Sequence, residues 1–232
     1  MNLSESHREA LRRLEAQWNG GDHLTPKQLQ EALDHWRAAL NRPATPGEEC
    51  LDIVHKDDAP TGLSAPRWFC HLTGLRHRVV HILLQTPQKW FMLQKRARTK
   101  ADWPGLFDTS AAGHLKAGQS WQEAASQELA EELGITATGL TPEGLTPVGG
   151  PYLRREALET PKFFRNWQVN RLYHGTLTAQ GLSELTFADG EVDAILLCPR
   201  SELEQLLKEP ERCSPGLLRD MQHHRAHTQQ SH

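Results

Sequence analysis

The segment between Ser120 and Gly134 constrains the fold of this chain more than any other stretch, because it carries both a helix start and a helix stop. Ser120 followed by Glu123 forms a capping box, and Gly134 is a typical residue directly after the last turn of a helix. The helix has one apolar face, formed by Ala124, Ala125, Leu129 and Leu133. The sequence therefore predicts a well-defined amphipathic helix that packs on a core.

Strand-like segments lie on both sides of this helix along the chain. The stretches CLDIV, HRVVHILLQ, KWFMLQKR, WQVNRLYHGTL and VDAILLC are rich in β-branched and aromatic residues. The hydrophobic fraction of 38% is compatible with a real core. Together these features predict an α/β protein.

Both ends of the chain have helical patterns. Apolar stripes predict two helices between residues 4 and 40, and helical segments return after residue 199. We therefore predict an N-terminal helical hairpin over 1–45, a main domain over 46–210, and a C-terminal helix with a polar tail over 211–232. Because two short helices bury little surface alone, the hairpin should dock on the main domain or on a second subunit, so a homodimer is one expectation.

Charge and composition exclude several classes of partner. The formal net charge is -3, whereas broad nucleic-acid binding needs a cationic surface. No apolar run approaches the ~20 residues of a membrane span, and the first residues lack the apolar centre of a signal peptide. We expect a cytoplasmic protein without nucleic-acid or membrane partners. The four cysteines are isolated in the sequence and indicate neither a disulfide framework nor a cysteine zinc site.

Three glutamates crowd the end of the central helix. Glu128, Glu131 and Glu132 have the spacing of residues that share one helix face. One interpretation is a solvated face whose mutual repulsion is tolerated. The alternative is a carboxylate site for a hard divalent cation, which prefers oxygen ligands.

The residues upstream favour the second interpretation. The stretch GHLKAGQSWQEAASQELAEELGI resembles the Nudix box, whose pattern is G-x5-E-x7-R-E-U-x-E-E-x-G-U, where U is an aliphatic residue. The matching positions are Gly113, Glu128, Leu129, Glu131, Glu132, Gly134 and Ile135. Gln119 and Gln127 stand where the pattern has Glu and Arg. The resemblance implies a Nudix α/β/α sandwich with a mixed sheet, to which this chain adds the N-terminal hairpin and C-terminal helices.

The resemblance also implies an activity, a metal and site residues. It implies magnesium-dependent hydrolysis of a diphosphate linkage of a nucleotide or cofactor-type substrate, with manganese as a substitute metal. Glu128, Glu131 and Glu132 would be catalytic and would hold the metal, together with Gly113 and a further carboxylate, Glu191. Arg96 and Lys100 fall where the relatives bind the substrate phosphates, and Arg side chains suit phosphate oxygens.

One branch of the family matches beyond the box. The stretch HRVVHILLQTPQKWFMLQKRARTKADWPGLFDTSAAGH is similar to isopentenyl-diphosphate isomerases and to isomerase-like Nudix hydrolases. His71, His77 and His114 match the metal-binding histidines of the isomerases and are additional candidate ligands. However, Ala112 stands where isomerases have a cysteine, and Gln168 and Asn170 stand where they have glutamates. We therefore expect a hydrolase rather than an isomerase.

The two glutamines leave a second function open. An Arg and a Glu that neutralise each other can both become amides without leaving an unpaired buried charge. Gln119 and Gln127 are thus consistent with a working hydrolase, or with a weakly catalytic or non-catalytic module that binds nucleotides or diphosphates. Four aromatic residues are candidates to stack on a base, although core packing is the better default for each of them: Trp68, Trp103, Tyr152 and Trp167.

Overall fold

The computed structural model describes residues 3–100, 102–160, 162–187 and 190–228. The last four residues of the polar tail lie outside these ranges. The chain divides into two compact units. The N-terminal unit comprises Met1–Val79, His114–Gln119 and Pro151–Asn170, and the C-terminal unit comprises Val80–Gly113, Ser120–Gly150 and Arg171–His232. The domain boundaries given above stay a prediction.

The N-terminal unit begins with the two helices that the sequence predicts, α1 (Glu5–Trp18) and α2 (Pro26–Ala39). The Thr25 side chain and Gln28 form a capping box at the start of α2. Trp18 and Trp36 are buried in one hydrophobic cluster with Ile53 and Phe69. The apolar stripes of the hairpin therefore pack within their own unit.

The same unit contains a small sheet and a short helix. Strands β1 (Cys50–Val54) and β2 (Pro60–Pro66) pair in antiparallel orientation. Helix α3 (Arg67–Thr73) follows β2 directly and ends at Gly74 in the left-handed conformation, φ 74°. The sequence patterns did not predict α3, although it carries His71.

The main sheet has eight strands and the order β10-β4-β3-β9-β7, with β5 on β4, β6 on β3 and β8 on β9. Their bounds are β3 His77–Gln85, β4 Phe91–Arg96, β5 Phe107–Asp108, β6 Ala111–His114, β7 Thr146–Pro147, β8 Tyr152–Leu158, β9 Phe164–Thr176 and β10 Val192–Cys198. The prediction of an α/β protein with a mixed sheet is confirmed.

A buried carboxylate joins α1 to the strands of the N-terminal unit. Glu15 accepts hydrogen bonds from Arg165 Nε at 2.8 Å, from an Arg155 guanidinium nitrogen at 2.9 Å and from Trp167 Nε1 at 3.1 Å. Arg155 lies on β8, and Arg165 and Trp167 lie on β9. A buried carboxylate needs such partners, because burial of an unpaired charge is costly.

The C-terminal unit contains the helices α4 (Trp121–Leu133), α5 (Ala179–Ser183), α6 (Arg200–Leu206) and α7 (Pro215–Thr228). Helix α4 has the predicted start at Ser120 and the predicted stop at Gly134. In the part of the chain that the structure describes, none of the helices has both the length and the apolar character that a membrane span requires.

Candidate functional site

Helix α4 is fixed at both ends and along one face. The Ser120 hydroxyl accepts the Glu123 N–H at 3.3 Å, and the Glu123 carboxylate accepts the Ser120 N–H at 2.9 Å. Gly134 adopts the left-handed conformation and its N–H bonds back to the last turn. The four predicted apolar residues of α4 are all buried. This burial sets the rotation of the helix and thereby the direction of each glutamate.

Glu128 lies against the backbone of Gly113, which is on β6. A Cβ atom built at Gly113 would lie 1.9 Å from the Cδ atom of Glu128. No residue with a side chain fits there unless Glu128 moves. The glycine of the motif therefore leaves room for the Glu128 carboxylate in its observed position.

The other two glutamates have different surroundings. The Glu132 side chain is buried, and its Oε2 accepts a hydrogen bond from Gln94 Nε2 on β4 at 3.2 Å. Glu131 is exposed, and its Oε1 accepts a hydrogen bond from Gln127 Nε2 at 2.5 Å. Glu128 and Glu132 are thus directed at the strands, whereas Glu131 faces solvent.

The two glutamines that depart from the motif have local partners. Gln127 bonds to Glu131 one turn further along α4. Gln119 accepts the Lys116 N–H at 3.0 Å through its side-chain oxygen, which closes the turn before the helix. Both amides therefore have a role in holding local structure.

Arg96 supports the loop after β4. Its guanidinium donates to the Asp102 carbonyl at 2.9 and 3.1 Å and to the Asp108 carboxylate at 3.1 Å. The second oxygen of Asp108 accepts a hydrogen bond from the Ser214 hydroxyl at 2.7 Å. The side chain proposed for phosphate binding is therefore oriented by two acceptors before a substrate arrives.

Lys100 and Glu191 form an ion pair. The sequence proposes Lys100 for phosphate and Glu191 for metal, but it does not predict that they meet. The neighbouring backbone brings them together, because the Ala97 N–H donates to the Glu191 carbonyl at 2.9 Å.

Three histidines meet in the N-terminal unit. His71 on α3, His77 on β3 and His114 on β6 offer ring nitrogens that lie within 4.8 Å of one another. In the described part of the chain, this is the one group of three such ligand residues that converges so closely. The Nε2 atoms of His71 and His114 are 3.1 Å apart, so at most one of the two can carry the proton between them.

Two of the three histidines, His71 and His77, are held in their neutral form. Burial lowers the pKa of His77 to about 4, and burial, with the nearby charges of His77, Arg67 and Lys162, lowers the pKa of His71 well below its usual value. His77 Nδ1 donates to the Leu75 carbonyl at 2.9 Å, so its Nε2 is unprotonated. That Nε2 is buried and has no hydrogen-bond partner. A neutral imidazole with a free lone pair is the form that binds transition metals.

Amide side chains on β9 add further unsatisfied atoms in the same unit. Asn166, Gln168 and Asn170 are buried and alternate along the strand, so they share one face. The Phe164 ring on the same face packs on His71 with ring centroids 5.0 Å apart. The Asn166 Oδ1, the Gln168 Oε1 and both polar atoms of the Asn170 amide lack partners. Buried polar atoms are normally hydrogen-bonded, so these amides are available to a bound water, an ion or a ligand.

Sequence reasoning missed three residues of these clusters. Gln94 and Asp108 lie on strands whose inward face could have been assigned by alternation. Asn166 precedes Gln168 and Asn170 by the same period of two, and that signal was available in the stretch NWQVN. Their partners are distant in the sequence, so the contacts themselves had no local signal.

Comparison with known proteins gives consistent matches. The family model described as NUDIX domain matches residues 75–218. The chain is 33% identical to Nudix hydrolase 3 of Arabidopsis thaliana over 163 residues, which are 69% of this chain and 20% of that protein. It is 38% identical to isopentenyl-diphosphate Delta-isomerase 2 of Photorhabdus laumondii over 88 residues, 38% of this chain and 49% of that protein.

Among solved structures, DR0079 of Deinococcus radiodurans has a similar fold. The TM-score is 0.56 at 20% sequence identity, and the match covers 74% of this chain and 96% of that chain. The present chain spans a fifth to about half of the length of the two curated relatives, at 20% and 49%.

Proposed function

Because the chain belongs to the Nudix family, we propose that it is a pyrophosphohydrolase that cleaves a diphosphate linkage of a nucleotide or cofactor-type substrate with water. The observation that carries the proposal is the seating of Glu128 on Gly113 beside a buried Glu132. Two inward carboxylates on one helix repel each other unless a cation lies near them. Glutamates that only face solvent would not include one that packs against the backbone of a glycine, as Glu128 does at Gly113.

Magnesium fits this donor set, because it prefers hard oxygen ligands and bridges to phosphates. Glu128, Glu131 and Glu132 would hold it, with the Gly113 backbone and Glu191 as further candidates, and manganese would suit the same oxygens. The bound ion would polarise the diphosphate and make water a better nucleophile. One of the helix glutamates would accept the proton of the attacking water.

Arg96 and Lys100 are proposed to bind the substrate phosphates. Arg96 is already held by Asp108 and Asp102 and would present its remaining N–H groups. Lys100 and Glu191 neutralise each other in the absence of substrate. Substrate binding would exchange this ion pair for a Lys100–phosphate contact and would release Glu191 toward the metal.

The histidine group is proposed as a second metal site. His71 and His77 are neutral imidazoles, and the amides of β9 carry no charge either. Such a set suits zinc or another transition metal better than magnesium, which favours anionic oxygens. His71, His77 and His114 would be the ligands.

A second candidate function is a module that binds nucleotides or diphosphates without efficient turnover. The Gln127–Glu131 hydrogen bond favours it, because it occupies one oxygen of a motif glutamate with a neutral amide. An isomerase is disfavoured, since Ala112 has no acidic group with which to protonate carbon.

Chromatographic analysis of the products formed from a panel of nucleoside diphosphates and triphosphates, dinucleotide cofactors and thiamine diphosphate tests the proposal, because cleavage of the diphosphate linkage gives a monophosphate from every compound. We expect magnesium-dependent hydrolysis of at least one compound, and kcat lower by about 100-fold or more in Glu128→Gln and Glu132→Gln, the size of a lost general base. Glu31→Gln, which changes an exposed helix glutamate, is the matched control.

Full hydrolysis by both inward-glutamate variants would contradict the proposal. Thermal stabilisation by a nucleotide without any product, in the presence of magnesium, would support the binding module instead.

A further inference from the structure

A cavity of about 430 Å³ lies beside the histidine group within the N-terminal unit. His71 belongs to both, because its side chain lines the cavity and its Nε2 lies 3.1 Å from the Nε2 of His114. The Phe164 ring also lines the cavity, and it packs edge-on against the His71 ring with centroids 5.0 Å apart. A molecule in the cavity would therefore lie next to a metal held by the histidines.

The histidine group brings no negative charge to a metal. Among the described residues, the group consists of His71, His77 and His114, and the unsatisfied side chains of β9 are neutral amides. A divalent ion bound there would keep both of its positive charges, although His77 is fully buried. Charge without compensation is costly away from water, and an anion as a further ligand would remove this cost.

Three histidines leave room for such a ligand. Zinc sites with three protein ligands keep a fourth position for water or for a substrate. His71 and His114 are half-buried, whereas His77 is buried, so the group is reached from the side of the first two residues. His71 is also the member of the group that lines the cavity.

Two cations of the lining lie near His71. Arg67 precedes His71 by one turn of α3, and the Lys162 ammonium lies 4.7 Å from the centroid of the Phe164 ring. Burial and the charge of His77 lower the pKa of His71, and the charges of Arg67 and Lys162 lower it further. Positive charges so close to a metal site favour an anion that lies between them and the ion.

The two carboxylates of the lining do not supply this anion. Glu48 forms an ion pair with Arg37, and Glu49 pairs with Arg67 at 3.2 Å. Each of them is thus already held by a guanidinium group. The missing negative charge would therefore come from a bound molecule.

The remaining walls of the cavity indicate what kind of molecule this is. The volume lies in the range of about 300 to 1,000 Å³ that is usual for small-molecule sites. Buried apolar side chains form much of the lining: Leu3, Leu72, Phe163 and Phe164. An anion with an apolar body would contact these side chains, whereas a small inorganic anion would leave them without a partner.

We propose that the histidine group, once it holds zinc or another transition metal, binds a carboxylate whose apolar body occupies the cavity. The carboxylate would be the further ligand of the ion and would pair with Lys162, and the apolar body would contact Phe163 and Phe164. The inference rests on the proposed histidine metal site and does not depend on the glutamates of α4. It assigns a ligand of its own to the N-terminal unit, a small carboxylate with a hydrocarbon chain or ring.

Titration calorimetry on the zinc-loaded full chain tests the inference. The probes are hexanoate, the shorter acetate, and hexanamide, which has the same body without the charge. We expect hexanoate to bind at least tenfold more tightly than either of the others, because each buried methylene contributes about fourfold and the amide lacks the charge. Removal of zinc with a chelator should weaken hexanoate binding at least tenfold.

Zinc and hexanoate should also strengthen each other's binding. By linkage, hexanoate lowers the Kd of zinc by the same factor by which zinc lowers the Kd of hexanoate. Zinc titrations with and without hexanoate, followed by thermal unfolding, measure this coupling independently of any hydrolysis.

Variants locate the ligand. Lys162→Gln should weaken hexanoate binding at least threefold while zinc still binds, because the variant removes the cation beside the carboxylate. Lys27→Gln, which changes an exposed lysine on α2, is the matched control and should bind hexanoate as the unmodified chain does. His71→Gln should remove the effect of zinc on hexanoate binding, which assigns this effect to the histidine group.

The inference is overturned by hexanoate binding that is no tighter than that of hexanamide, that is equal with and without zinc, or that is unchanged in Lys162→Gln. Tighter binding of inorganic phosphate than of hexanoate would overturn the choice of a carboxylate. The proposed metal site fails separately, when zinc leaves the thermal midpoint of unfolding unchanged or when His71→Gln keeps the full shift. Zinc that binds through His71 without any effect on hexanoate binding contradicts the inference alone.

Discussion

The glutamates of the motif differ in their surroundings, although their spacing in the sequence does not show this difference. Glu128, Glu131 and Glu132 are equivalent in the sequence pattern, but they are half-buried, exposed and buried, respectively. The difference arises because α4 presents one face to β4 and β6, where Gln94 and Gly113 receive the inward glutamates. Gly113 therefore says as much about the position of the site as the three glutamates do.

Gly113→Ala tests the steric role of the glycine. The added methyl group would occupy the place of the Glu128 carboxylate, so we expect the helix glutamate to be displaced and kcat to fall about tenfold or more, since small misplacements of catalytic groups are costly. Because the carboxylate end of Glu128 can move away from the methyl group, we expect the free energy of unfolding to change little. Steady-state hydrolysis and denaturant unfolding measure the two effects.

The control is Gly150→Ala, where no atom lies within 4 Å of the added Cβ. Unchanged kcat in Gly113→Ala would show that the position of Glu128 does not matter for the reaction.

Elements differ in how well the sequence predicts them. Helix α4 and strands β3 and β10 match the predicted stretches, because each has a clear local pattern and clear ends. Strand β8, with the sequence YLRREAL, has charged residues and helix formers, and its strand structure depends on pairing with β9 along its whole length. Helix α3 is seven residues long, contains poor helix formers and lacks a side-chain cap.

The capping residues of α2 and α4 should have similar effects on stability but different effects on hydrolysis. Ser120→Ala and Thr25→Ala each remove the side-chain acceptor of a capping box, so each should lower the free energy of unfolding by about 1 kcal/mol. Only Ser120→Ala should also reduce hydrolysis, because α4 carries the glutamates and α2 carries none of the proposed site. Denaturant unfolding and kcat/KM are the measurements. Equal effects of the two variants on hydrolysis would argue that α4 does not carry the site.

For the whole molecule, we propose two classes of metal site. The carboxylates of α4 suit magnesium, and the neutral histidine group suits a transition metal. The C-terminal His223 and His227, with ring centroids 4.2 Å apart, are a competing surface site for added metal. The three sites use different residues, so variants can separate them.

Zinc added to the metal-free chain should raise the thermal midpoint of unfolding, since a ligand that binds only the folded state stabilises it, by about 2.7 kcal/mol at 100 times its Kd. We expect His71→Gln to abolish this shift and the double variant His223→Gln/His227→Gln to keep it. Thermal unfolding with zinc analysis of the desalted protein measures both. The opposite pattern would assign the bound zinc to the surface pair and would exclude the histidine group.

The sequence by itself determined the α/β class, the hairpin helices, the boundaries of α4 and the family to which the chain belongs. These depend on local periodicity, capping residues and a motif of fixed spacing. Only the tertiary structure decided which side chains meet: His71 with His114, Lys100 with Glu191, and Trp68 with Glu48. Such contacts join positions far apart in the chain, and packing and the pairing of strands, rather than any local pattern, bring them together.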